Sequence, residues 1–245
     1  MINFTLKRTG LTALVGLAFA FGASAQTFLH EGLVYKATGN KLTVQSVTAK
    51  KKPVPENGTC PEHYTGDIVI PDEIVYNGKT YTVESVGTAF KGEAITSLVM
   101  PATVIKAGIG AFQGCSSLTT ITLSPNLAKL EQNTFSGCSA LTAISIPGGI
   151  PKLTSNLFKG CSSLTTVTFE DGPTPLEAPA NAFVNINNTN DEPGSAAITT
   201  LVINRALNNE ATTAMNNKPF RGIANLESVT FGGSFTDIDA SMFEG

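Results

Sequence analysis

The chain has 245 residues, 42% of them hydrophobic and 14% charged, with a formal net charge of −3. That much apolar content supports a sizeable core, and it leaves no surplus of Lys and Arg to displace counterions from phosphates, so nucleic acid is excluded as a partner. Trp is absent and there are two His, His30 and His63, which removes chemistry built on paired imidazoles.

Residues 1–25 read as a signal peptide. Lys7 and Arg8 give a basic start, Leu11 to Phe21 is an apolar run too short to span a bilayer, and Ala23-Ser24-Ala25 is a small-residue cleavage site. The exported chain is expected to start at Gln26, and loss of Lys7 and Arg8 takes its net charge from −3 to −5. No later segment is long and apolar enough to cross a membrane as a helix.

Residues 26–66 form a non-repeat, β-rich lead-in that serves as a cap. Gly32 to Ala37 and Leu42 to Val47 alternate like two strands around a turn at Gly39-Asn40. Lys50-Lys51-Lys52 then leads into a Pro-containing loop.

Residues 67–245 read as a repeat array. Phe112-Gln113-Gly114-Cys115-Ser116-Ser117-Leu118 recurs as Phe135-Ser136-Gly137-Cys138-Ser139-Ala140-Leu141 and again as Phe158-Lys159-Gly160-Cys161-Ser162-Ser163-Leu164, with a period of 23 residues. Looser copies open at Phe90 and Phe220, and a broken copy opens at Phe183, its strand Leu201-Val202-Ile203 arriving late. In each unit Leu118, Ile121 and Leu123, or their counterparts, fit a short strand with alternate side chains inward, and Leu127 and Leu130 form a second apolar pair across the coil. One such coil cannot bury its own apolar residues, whereas stacked coils close each other's core. Gly114, Gly137 and Gly160 fall where the chain turns sharply, and Pro101, Pro125 and Pro147 stop the strands. A polar stretch near 184–196 reads as an insertion projecting from one coil, with a weak glycosylation sequon at Asn187-Asn188-Thr189. Phe243-Glu244-Gly245 opens a coil that does not close. The expectation is therefore an open C-terminal end and either a continuing chain or end-to-end self-association through the Leu226, Val229 and Phe231 coil.

The pattern F-x-G-C-S-x-L-x-x-[IV]-x-[LIF] resembles the BspA-like leucine-rich repeat family of bacterial surface proteins, and the lead-in Tyr76 to Gly87 is similar to the segment that precedes the first repeat there. The resemblance implies a right-handed leucine-rich-repeat coil, a β-rich repeat solenoid of 23-residue units with short parallel strands and few or no long helices. It also implies a secreted or cell-surface protein engaged in adhesion or protein–protein contact. The motif is a packing motif and carries over no catalytic residue.

Several residue sets could carry function. Thr120, Thr122, Ser145, Thr166, Thr168, Ser228 and Thr230 point outward from the strands and form the candidate binding face for protein or glycan at a cell surface or matrix; Thr also simply suits a pleated surface. Cys115, Cys138 and Cys161 form a ladder. Secretion permits disulfides, but laddered side chains point one way at a separation of about 4.8 Å, and three leave one over, so buried thiols are the better reading. Lys106, Lys129 and Lys152 form a basic row on the opposite wall, suited to an anionic polymer or to solubility. No catalytic, cofactor or metal site is expected: no nucleophile elbow, P-loop or dinucleotide fingerprint is present, and acids such as Asp67, Asp72, Glu73, Glu131 and Asp191 are scattered. An active site would need a cleft between the lead-in and the first coils holding His63 and an acid. The function that follows is non-enzymatic contact, with a structural spacer presenting another module as the alternative.

Overall fold

The computed structural model describes residues 27–45, 62–178, 183, 197–207, 220, 223 and 225–232. Among these residues the regular structure is all strand. The lead-in gives β1 (Thr27–His30), β2 (Leu33–Thr38) and β3 (Lys41–Val44). They are followed by β4 (Thr65–Val69), β5 (Glu73–Tyr76), β6 (Lys79–Val86), β7 (Ala94–Val99) and β8 (Lys106–Ala107). The repeats supply β9 (Thr120–Thr122), β10 (Ala143–Ile146), β11 (Thr166–Phe169), β12 (Thr200–Ile203) and β13 (Ser228–Phe231).

The strands make three sheets. One has the order β1-β2-β3-β6-β5, with β8 also on β6. Its hairpins are antiparallel, and the β5–β6 turn uses Asn77 and Gly78 at φ 50 and 73, the two positive values that a primed two-residue turn requires. The lead-in is stitched to the next segment by the parallel pairing of β3 with β6. The other two sheets are parallel, β4-β7-β9 and β10-β11-β12-β13. Each repeat thus contributes one short strand, as a β-rich leucine-rich-repeat solenoid requires. The strands are shorter than the alternation suggests: β9 has three residues, because Leu118 is buried ahead of the pleated segment rather than within it.

The core is a column. Phe90, Phe112, Phe135 and Phe158 are fully buried and stack with centroids 5.8, 5.7 and 5.9 Å apart and planes within 9° of parallel. Phe183 continues the stack after Phe158, while Tyr64 before Phe90 and Phe220 after Phe183 meet it tilted. Rings at this separation exclude water from one another along the whole axis. Leu127, Leu130, Ile150 and Leu153, the second apolar pair of two successive coils, are also fully buried. The stretched unit keeps the strand register: Thr166 pairs with Thr200 although they stand further apart in the chain than the 23-residue period. Residues 184–196 and 233–245, and with them the polar insertion and the open end, lie outside the described residues.

Two backbone positions per coil are left-handed. Gly114, Gly137 and Gly160 have φ of 78, 79 and 74, at the sharp turn two residues after each Phe. A Cβ on Gly137 would also meet the Gly114 Cα at 3.3 Å, so the coils touch backbone to backbone there. The second position, two residues before each Phe, is filled by Gly110, Asn133 and Asn156 at φ 61, 58 and 61. Asn is the side-chain-bearing residue that tolerates this region best.

The parallel sheet is interrupted once. Between β9 and β10 no ladder forms, and a single 3.5 Å contact from Thr142 N to Thr119 O spans the strand side. On the Phe side the same two coils are joined by Phe112 N to Thr134 O at 3.0 Å and Gly114 N to Ser136 O at 2.7 Å.

Candidate functional site

Register fixes the composition of the outward strand face. One column runs Asp67, Ser97, Thr120 across β4-β7-β9 and Ala143, Thr166, Thr200, Ser228 across β10 to β13. The second runs Val69, Val99, Thr122 and then Ser145, Thr168, Val202, Thr230. Thr120, Thr122, Ser228 and Thr230 are exposed, and Ser145, Thr166 and Thr168 are half-buried between their neighbours. The structure therefore brings all seven onto one face. It adds three outward aliphatic residues, Val69, Val99 and Val202, which the hydroxyl pattern of the tight repeats does not foreshadow.

Some hydroxyls are already engaged. Ser145 Oγ donates to Glu170 Oε1 at 2.6 Å, and both Thr96 Oγ1 and Ser97 Oγ donate to Asp67 Oδ1 at 2.7 Å. The donors from Ser97 and Thr96 hold the Asp67 carboxyl below the usual carboxylate range. One residue ahead of the strands, Thr119 and Thr165 donate to the carbonyls of Thr96 and Thr142 in the preceding coil, at 3.0 and 3.1 Å. Those two threonines hold coils together, while the free face begins with the next residue.

The cysteine ladder is structural. Cys115, Cys138 and Cys161 are free and buried. Their thiols donate to the carbonyls of Phe90, Phe112 and Phe135 at 2.8, 3.1 and 3.1 Å, each a coil earlier. Burial pushes the Cys115 and Cys161 thiols up to about 12 and raises Cys138 as well. The basic row is largely neutralised: Lys129 pairs with Glu131 at 2.9 Å and Lys152 pairs with Glu177, leaving Lys106 with no ion pair among the described residues.

His63 does meet an acid. Its Nδ1 lies 3.2 Å from Glu93 Oε2, and the same oxygen accepts the Tyr64 backbone N–H at 2.9 Å. The Glu93 side chain is fully buried, whereas the His63 ring is mostly exposed. Glu93 acts electrostatically on Cys115, whose thiol burial keeps protonated, and a protonated thiol does not attack at neutral pH. The pair joins the lead-in to the first coil. Among the described residues no three His, Cys, Asp or Glu gather to hold a metal ion, and no helix is long and apolar enough to cross a membrane.

The repeat geometry and the sequence now coincide. The sequence pattern of the BspA type leucine-rich repeat region matches residues 86–201 and 195–245, in six copies, over more than half of the chain. The chain belongs to the BspA-type leucine-rich repeat family. Solved structures are similar to the chain. A leucine-rich repeat protein from Bacteroides capillosus is 28% identical over 59% of this chain and 98% of its own, with a TM-score of 0.48. The leucine-rich repeat protein of T. pallidum is 18% identical over 84% of this chain and 86% of its own, with a TM-score of 0.54. A leucine rich cell surface protein from Faecalibacterium prausnitzii is 20% identical over 85% of this chain and 55% of its own, with a TM-score of 0.50. The last two share the fold. No curated protein matches the chain. As a BspA-type repeat protein, the chain belongs to a family whose general role is protein binding or scaffolding.

Proposed function

We propose that this BspA-type repeat protein is exported and makes adhesion-type contacts with a protein partner through its outward strand face. The observation that carries the reading is the pair of outward columns, each in register over three strands and then over four, formed chiefly of hydroxyl and aliphatic side chains. Such a face offers donors and acceptors without the desolvation cost of charges. A protein partner is favoured over a glycan because sugar rings stack on exposed aromatics. Trp is absent, and all four Tyr, at 35, 64, 76 and 81, are buried. The face also lacks the Trp, Tyr and Arg that dominate tight interfaces, so one copy binds weakly and many copies on a surface bind by avidity.

Export follows from the order of basic start, apolar run and Ala23-Ser24-Ala25, and N-terminal sequencing of secreted material should return Gln26. Binding is tested by presenting the purified chain to immobilised matrix proteins and glycans. Replacing Thr120, Thr122, Thr166 and Thr168 with Glu should abolish capture, while replacing Lys106, Lys129 and Lys152 with Glu should leave it unchanged. The reverse result moves the site to the opposite wall. No capture by any surface, with an intact fold, favours the spacer role.

A further inference from the structure

The strand face is not uniform along the stack. At its N-terminal end Val69 is 67% exposed and Val99 is 40% exposed, and the two are register partners on adjacent parallel strands, with Thr122 next in the column. Two residues from Val69 along β4, and therefore on the same side of the pleat, stands Asp67, whose carboxylate is fixed by the Thr96 and Ser97 hydroxyls. The outward positions of β4, β7 and β9 carry this one charge. Beyond the sheet break, the acid Glu170 reaches Ser145, and Glu227, one residue ahead of β13, is exposed. Every charge along the described strand face is thus a carboxylate, while Lys129 and Lys152 are neutralised on the other wall.

Resting on the strand-face reading above, we infer that the Val69–Val99–Thr122 strip docks an extended protein segment that carries aliphatic side chains and lysine or arginine together on one face, at every second position. Each half of the strip selects one half of that chemistry. The paired valines offer apolar area that only an apolar side chain covers with gain. Asp67 is already oriented by two hydroxyl donors, so pairing with a cation costs little further ordering. A cation row would meet acids elsewhere on the face, and an acidic segment would meet only like charge. Neutral hydroxyls at Ser97 and Thr120 can satisfy the backbone of a segment lying across the strands.

Short synthetic peptides with Ser at every other position test this directly, measured by calorimetry against the purified chain: one whose remaining positions, which share a face, carry Val and Lys in turn, one with Val and Glu there, and one with Ser and Lys there. The Val-Lys peptide should bind and the other two should not. Val69→Ser with Val99→Ser should weaken Val-Lys binding about tenfold. Asp67→Asn should weaken it and flatten its salt dependence. Melting curves check that each variant stays folded, as its exposed positions require. Equal binding of the Ser-Lys peptide, or unchanged binding by the valine variant, overturns the proposal. The outcome is separable from the broader reading. If the Thr-to-Glu variant loses capture of a matrix protein while the valine variant keeps it, the strand face stands and this strip is not its docking element. If neither variant affects capture, both fail.

Discussion

Glu93 stands in the first coil where Cys115 stands in the next. Each lies three residues after its Phe, and each closes the same turn, Glu93 N to Phe90 O at 3.0 Å and Cys115 N to Phe112 O at 3.1 Å. The later thiols donate backwards to a Phe carbonyl. Before Phe90 the lead-in instead offers the Tyr64 N–H, a donor, so the position calls for an acceptor, and Glu93 supplies it. Glu93→Ala should therefore cost about 2 kcal/mol, because a buried N–H loses its partner. Glu93→Cys, which makes the first coil match the repeats, should also lower the melting temperature. His63→Ala should move it little, since that ring is mostly in water. Thermal unfolding of the three variants checks the order.

The thiols predict alkaline behaviour. Folded Cys115 and Cys161 titrate at about 12, and Cys138 is raised in the same direction, against about 8.5 for an unfolded thiol. Above the unfolded value the unfolded chain binds fewer protons than the native one, so stability falls with rising pH. The thiol contribution should be complete below about pH 8.5 and be lost as pH rises towards 12. Alkylation of these three cysteines in the native protein should stay slow at pH 9 and become fast after denaturation. Fast native labelling would contradict the ladder.

Phe135 sits between Phe112 and Phe158 in the aromatic column. Phe135→Ala removes a ring from a fully packed stack and should cost about 3–5 kcal/mol. Phe135→Leu should cost clearly less, because it leaves a smaller void. Denaturant midpoints of the two variants give the comparison.

The left-handed residues before each Phe give a finer test. Asn133→Ala should cost about 1 kcal/mol, since alanine pays the full steric penalty of positive φ. Asn133→Gly should be close to neutral. Asn156→Gly should be tolerated equally well, as the Asn156 Oδ1 is buried without a hydrogen-bond partner. An Asn133→Ala variant as stable as Asn133→Gly would show that backbone conformation is not what selects Asn there.

Recurrence made the fold legible. Phe, Gly, Cys and Leu return in phase at 112, 135 and 158, and stacking is the arrangement that buries all of them at once. The outward Thr positions were legible for the same reason, as period-two alternation leaves them no other side. Val69 and Val99 were not, because they precede the tight repeats and an isolated Val in a strand normally reads as core. The His63–Glu93 contact was open only as a condition, since thirty residues of chain separate the two and nothing local links them. The neutralised lysines were hidden by spacing: Lys129 takes its partner from two residues on, while Lys152 takes Glu177 from the next coil.

The interruption between β9 and β10 has a mechanical consequence. The Phe-side hydrogen bonds run through that junction unbroken, while the strand side is held there by one long contact. The strand side is therefore the weaker side of the junction between two blocks of the stack, and a bending load is expected to open it there first. Pull applied to such a protein at a surface would be absorbed as a change of angle between the blocks. The Val69–Val99 end and the Thr166–Thr230 end would each keep their own register while they swing apart.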